Sequence, residues 1–142
     1  MQSAIDFQQL VNAVGDAVVV CDANGAITFW NPAAERLFGF AEKEALGQSL
    51  DLIIPERLRQ RHWDGYNKTM QTGQTRYGND VLRVPALHKD GRALSIAFTV
   101  AMLFSAENKV KVIIAVIRDE TARFNEERVL RKRLAELEAR AI

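Results

Sequence analysis

Val18-Val19-Val20-Cys21-Asp22-Ala23-Asn24-Gly25-Ala26-Ile27-Thr28-Phe29-Trp30-Asn31-Pro32-Ala33-Ala34-Glu35-Arg36-Leu37-Phe38 decides the fold, because it sets strand, turn, strand and capped helix in immediate succession. Val18 to Cys21 and Ala26 to Trp30 are short apolar runs rich in β-branched and aromatic residues, and Asp22-Ala23-Asn24-Gly25 between them supplies hairpin turn chemistry. The helix then starts abruptly. Asn31 is placed to cap the orphan amides, and Pro32 suits the first helical turn, where its missing N–H costs nothing.

Upstream, Leu10, Val11 and Val14 recur at helical spacing behind Ile5 and Phe7, which predicts a short amphipathic helix over 4–14 that packs on the sheet or on a second subunit. Downstream, Ala41 to Ala45 reads as a helical turn broken by Gly47, and the apolar Leu50 to Ile54 follows. Pro55 then begins a longer helix. Leu82, Val84 and Ala86 share one face of a strand, Leu94, Ile96, Phe98 and Val100 do so in the next, and Val110, Val112, Ile114 and Val116 in a third. Turns at Lys89-Asp90-Gly91-Arg92 and Ser105 to Asn108 link them. Two strands, several helices and three strands make an α+β order.

From Asp119 onward the chain is Glu, Arg, Lys, Leu and Ala without Gly or Pro, strong helical material that Thr121 or Asp119 can cap. Leu130, Leu134, Leu137 and Ala141 alternate steps of four and three, as one seam of a coiled coil does. Such a helix either folds back on its own domain or dimerises. The chain therefore divides into an N-terminal cap helix (1–15), a central domain (16–119) and a C-terminal amphipathic helix (120–142).

With 142 residues, 48% of them hydrophobic, there is enough material for one cored domain plus an appendage, not for two domains. Nineteen basic and eighteen acidic residues give a net charge of +1, so no overall field favours nucleic acid or an anionic membrane. The single cysteine, Cys21, excludes an intrachain disulfide framework and suits a reducing compartment. No apolar stretch reaches bilayer length and no leader pattern opens the chain, so a cytoplasmic location is the expectation. Glycine-rich phosphate loops, a Ser-His-Asp pattern and paired histidines at zinc spacing are all missing, which argues against an enzyme.

The Asp-x-x-Gly turn, Trp30-Asn31-Pro32-Ala33-Ala34-Glu35-Arg36-Leu37-Phe38-Gly39 and the late Ile117-Arg118-Asp119-Glu120-Thr121 resemble the PAS family of sensor domains over roughly residues 5–121. The resemblance implies a five-stranded antiparallel sheet with helices on one face, and a Glu35–Arg118 ion pair between helix and sheet. It also implies a C-terminal signalling helix, with output expected through a homodimer or a downstream signalling protein.

His62 is the residue where chemistry could sit. Leu58, His62, Tyr66 and Met70 fall at steps of four, so the imidazole shares a stripe with apolar side chains. On spacing alone it is either a core histidine bonded to backbone or a ligand offering one nitrogen to a metal. Arg61-His62-Trp63-Asp64-Gly65-Tyr66 with Thr72-Gly73, Arg76 and Lys89-Asp90-Gly91 is similar to the Arg-His-Asp-x-Tyr region of haem-binding PAS domains in oxygen-sensing histidine kinases. Carried over, that similarity makes His62 the proximal ligand of a b-type haem, puts Lys68 and Arg76 near the propionates, and lines the porphyrin pocket with Leu82, Val84, Phe98 and Val100. Trp63 departs from the pattern, which has Asp directly after His. The distal arginine of the oxygen sensors falls nearest Leu82, with Arg83 on the opposite strand face, so carbon monoxide, nitric oxide or redox state rank with oxygen as inputs.

Flavin is the less favoured cofactor: the reactive Asn-Cys-Arg motif of the photoreceptors is replaced by Gly47-Gln48-Ser49-Leu50, although Trp30 or Trp63 could stack on an isoalloxazine. Cys21 reads as a small buried hydrophobe and His88, at a hairpin tip, as solvated. The alternative function is a cofactor-free PAS interaction module whose interior is filled by Trp63, Phe98 and Met70.

Overall fold

A computed structural model describes residues 4–75 and 80–141. The order is α1 (Phe7–Ala13), β1 (Ala17–Asp22), β2 (Ile27–Trp30), α2 (Pro32–Phe38), α3 (Glu42–Ala45), 3₁₀ turns at Leu50–Ile53 and Glu56–Leu58, α4 (Arg59–Thr72), β3 (Leu82–Leu87), β4 (Ala93–Phe104), β5 (Val110–Asp119) and α5 (Thr121–Arg140). The strands form one antiparallel sheet in the order β2-β1-β5-β4-β3. This is the α+β architecture that the strand and helix patterns predict.

Register assigns the faces. Ala17, Val19 and Cys21 of β1 stand opposite Ile117, Ala115 and Ile113 of β5, and Phe98, Val100 and Met102 of β4 pair with the same three. Directly opposed residues of an antiparallel pair share a face, so these form the inner surface on which Trp30, Ala34, Phe38, Ile53 and Tyr66 pack. Val18, Val20, Phe29, Ile114 and Val116 point to the other side, where Leu10 and Val11 of α1 and Val14 just after it border an apolar cleft of about 600 Å³. The N-terminal helix thus belongs to the outer face, with no residue of its own buried.

Asn31 does more than cap. Its Oδ1 accepts from Ala34 N (3.0 Å) and Val18 N (2.9 Å), and its Nδ2 donates to Val11 O (3.0 Å) and Asp16 O (3.1 Å). One fully buried amide therefore ties α2 to β1 and to the segment leaving α1. Trp30, its ring tilted 40° against Phe38 at 5.4 Å, donates its indole N–H to Phe40 O and closes the end of α2. Gly39 ends that helix at φ +82°, a left-handed stop that glycine adopts without strain.

Two side-chain expectations are corrected. Arg118 pairs with Asp16 (3.4 Å) at the entry to β1, the strand beside β5, while the Glu35 carboxylate is turned to the start of α3 and accepts from Glu42 N. His88 is tucked against Gly39 with its side chain only 15% exposed, and its Nδ1 accepts from Asp90 N, so this residue is docked and not solvated although the rest of the tip is exposed. Lys89 completes that docking through Phe38 O and Glu44. Of the two alternatives left open for α5, folding back is not seen: Leu130, Leu134 and Leu137 are 50–65% exposed and the helix has no buried residue. Its root is fixed by Thr121, whose Oγ1 accepts from Ser95 N (3.0 Å), while Asp119 Oδ1 accepts from Thr121 N.

Candidate functional site

The 3₁₀ turn at Glu56–Leu58 feeds α4, which runs to Thr72 before Gly73 stops it at φ +69°. Tyr66 is the buried position of this helix and His62 and Met70, one turn either side, are half-buried, so the stripe of fours faces the sheet. Around His62 three rings form a closed triangle. The imidazole meets Trp63 edge-on at 4.6 Å and Tyr66 at 5.8 Å, and Trp63 meets Tyr66 at 5.1 Å. Each neighbour is tied elsewhere: Trp63 Nε1 donates to Asp51 Oδ1 (2.6 Å), and the Tyr66 hydroxyl donates to Asp22 O at the end of β1. Arg59 holds the Asp51 segment by donating to Ile54 O and Asp51 O.

Among the described residues, His62 Nδ1 is buried without a hydrogen-bond partner. Burial lowers the imidazole pKa below the ordinary histidine value, against a weaker upward pull from the Asp51 carboxylate. The ring is therefore neutral at physiological pH, and a neutral imidazole keeps one lone pair free for a metal. Burial, reinforced by Cys21 and Asp22, also raises the Tyr66 pKa, so its hydroxyl stays a donor.

The remaining residues from the sequence pattern are distributed as follows. Phe98 and Val100 pack against the core on the inner face. Leu82 and Val84 lie opposite Phe98 and Ile96 on the same face, half-buried and 37% exposed respectively. Lys68 is on the solvent side of α4 and is not brought to His62. Arg76 lies outside the described residues. Trp63 and Met70 also pack against the core. Asp51 and Gly25, which seat Trp63, carry no local sequence signal for that role, since their partner is distant in the chain. Among the described residues no group of three His, Cys, Asp or Glu could hold a metal, and no helix is long and apolar enough to cross a membrane.

Cys21 is buried on the inner face, and burial followed by the neighbouring Asp22 pushes its thiol up to about 12. In the unfolded chain the thiol ionises near pH ~8.5, so between that value and about 12 the unfolded state holds fewer protons and stability falls as pH rises. Iodoacetamide at pH 8 is expected to alkylate Cys21 only after denaturant is added; modification of the native chain at the rate of a free thiol would contradict its burial.

The chain belongs to the PAS fold family, whose family profile matches residues 5–119. Over 65 residues, 46% of this chain, it is 40% identical to the sensor protein FixL of Bradyrhizobium diazoefficiens, and over 101 residues, 71% of this chain, it is 32% identical to the oxygen sensor protein DosP of Escherichia coli. The matched segments span only 13% and 12% of those relatives. The PAS domain of a protein from Colwellia psychrerythraea superposes with a TM-score of 0.71 at 22% identity, covering 82% of this chain and 95% of that one. An RNA-binding light-oxygen-voltage receptor gives 0.71 at 18% identity over 95% of this chain and 40% of its own. These structures share the fold, and the two curated relatives are named as a sensor and an oxygen sensor.

Proposed function

We propose that this PAS domain senses a gas or redox signal through a b-type haem held by His62, in the cytoplasm, as a binding and signalling module and not a catalyst. The observation that carries the reading is the buried His62 Nδ1 without a partner among the described residues, on an imidazole kept neutral by its surroundings. Similarity to a protein named as an oxygen sensor supports it. When bound, haem would supply an iron centre that takes a diatomic gas or changes oxidation state.

The chain's own residues do the rest. His62 presents the donor nitrogen; Phe98 and Val100, with Leu82 and Val84 beside them, offer an apolar wall that lowers the local dielectric. A planar ligand between α4 and the sheet would shift contacts on β4, and Ser95 of that strand grips the root of α5 through Thr121. Two packings of α5 that differ in ligand affinity are what such a relay needs. The exposed seam of Leu130, Leu134 and Leu137 fits self-association, with a downstream protein reading its geometry. Replacing all three leucines by lysine is expected to halve the mass in solution; an unchanged mass would reject the seam.

The test of the haem reading is the absorbance spectrum with added haemin. The native chain is expected to show a sharp Soret band that His62→Ala loses or displaces. Identical spectra from both would leave the cofactor-free interaction module, which the packing of Trp63, Phe98 and Met70 against the core favours as the second reading.

A further inference from the structure

A ligating histidine is ordinarily oriented by its second nitrogen, which donates to a carboxylate or carbonyl and fixes both tautomer and ring plane. Among the described residues the His62 ring makes no such bond to a carboxylate or carbonyl from either nitrogen, so whichever one ligates, no polar partner fixes the other. Its ring plane is set by packing alone, and the two rings that pack on it are each pinned by a hydrogen bond to another element. Trp63 is pinned to Asp51 in the 3₁₀ turn, and its indole edge rests over Gly25 so closely that a Cβ there would overlap Cη2 and Cζ3. Tyr66 is pinned to Asp22 O. The references for the imidazole are thus the β1–β2 turn and the 3₁₀ turn, both outside the helix that carries it.

We propose that Trp63, anchored by Asp51, is the positioning residue for His62, replacing the conventional polar partner of a ligating imidazole with an aromatic clamp. Trp63 supplies the edge-on contact at 4.6 Å, and Tyr66 closes the other side of the triangle. Because Asp51 is 38% exposed in its side chain and lies on a short turn, it can be changed without opening the core. The clamp also gives Trp63 a purpose at the position where the sequence departs from the haem-binding pattern. This inference rests on the reading of His62 as a ligand for its consequence in affinity, but the clamp itself is a property of the chain without haem.

The experiment compares the native chain with Asp51→Ala, Asp51→Asn, Trp63→Phe and Trp63→Ala. In the haem-free protein, the imidazole C–H proton resonances of His62, assigned by their loss in His62→Ala, report the ring currents of Trp63 and Tyr66. The native chain is expected to show displaced, single resonances. Asp51→Ala should move them toward random-coil positions, and Asp51→Asn, whose side-chain oxygen still accepts from the indole, should restore them. Trp63→Phe should keep a smaller displacement and Trp63→Ala only the part owed to Tyr66, with circular dichroism confirming that each variant is folded. With haemin, Asp51→Ala is expected to weaken binding by about 10- to 100-fold, the scale typical of a lost outer-shell partner, and Asp51→Asn to recover most of it. Native His62 resonances in folded Asp51→Ala and Trp63→Ala would overturn the clamp whatever haemin does. Failure of the native chain to take up haemin with normal ring shifts would instead remove the haem reading and leave the clamp standing.

Discussion

Asn31→Ala is expected to lower the unfolding free energy by about 3–5 kcal/mol, read as a drop in the urea midpoint at unchanged slope. The side chain makes four hydrogen bonds from a fully buried position, and truncation removes all of them at once. Val18 N loses its acceptor inside the protein, at a cost of about 1–3 kcal/mol when no water replaces it, the Val11 and Asp16 carbonyls lose their donor, and Ala34 N keeps only the Asn31 carbonyl. Loss of the N-cap alone accounts for roughly 1 kcal/mol, so a deficit confined to that figure would mean that Val18, Val11 and Asp16 find other partners. Asn31→Asp separates the contributions: it keeps the acceptor for Ala34 and Val18, gives up the donor to Val11 and Asp16, and buries a charge. It should be folded, and destabilised mainly through the segment joining α1 to β1.

The cap itself was legible, since Asn followed by Pro at a strand end carries local chemistry that needs no tertiary partner. Its other three bonds were not, because Val11, Asp16 and Val18 become neighbours only when β1 pairs with β2 and α1 folds over the outer face. The same limit explains Arg118 and His88. An ion pair from Arg118 to Glu35 satisfies the sequence as well as one to Asp16, and the sheet order that places β1 beside β5 decides between them. His88 reads as a hairpin-tip residue, which it is, but its side chain packs onto Gly39, a glycine whose bare surface has no signature in its own neighbourhood. Periodicity performed best where one face is buried, as in β4 and the steps of four in α4; in β5 the buried residues are Val110, Ile113 and Ile117, a register shift opposite Leu103 and Phe104 breaks the alternation, and Ile114 and Val116 of the expected stripe face outward. For α5, steps of four and three marked a seam, and the structure shows that seam uncovered. At the candidate site, His62 and Tyr66 were visible on the stripe, whereas Asp51 and Gly25 enter only through the indole of Trp63.

Gly25→Ala tests that indole seat with the second large effect, an expected loss of about 2–4 kcal/mol. The position holds φ +81°, which costs an alanine about 1–2 kcal/mol before any contact is considered. A methyl group there also overlaps the Trp63 ring, so either the turn or the indole must move. Gly47→Ala separates the two costs, because Gly47 shares the backbone state at φ +82° and has nothing within 4 Å of a new Cβ. The excess of Gly25→Ala over Gly47→Ala is the contact energy of the seat. It should vanish in a Trp63→Ala background, giving a coupling of about 1–2 kcal/mol in the double-mutant cycle. Displacing the indole also breaks its bond to Asp51, so tryptophan emission should shift to the red in Gly25→Ala and not in Gly47→Ala, the buried Trp30 providing a constant background. Equal losses in the two glycine variants, with unchanged emission, would mean that Trp63 yields freely and that the β1–β2 turn does not hold α4. A large coupling with a red shift would place the hairpin turn in direct mechanical contact with the residue beside His62. The opening strand–turn–strand would then act as the support against which the ligand-bearing helix is registered.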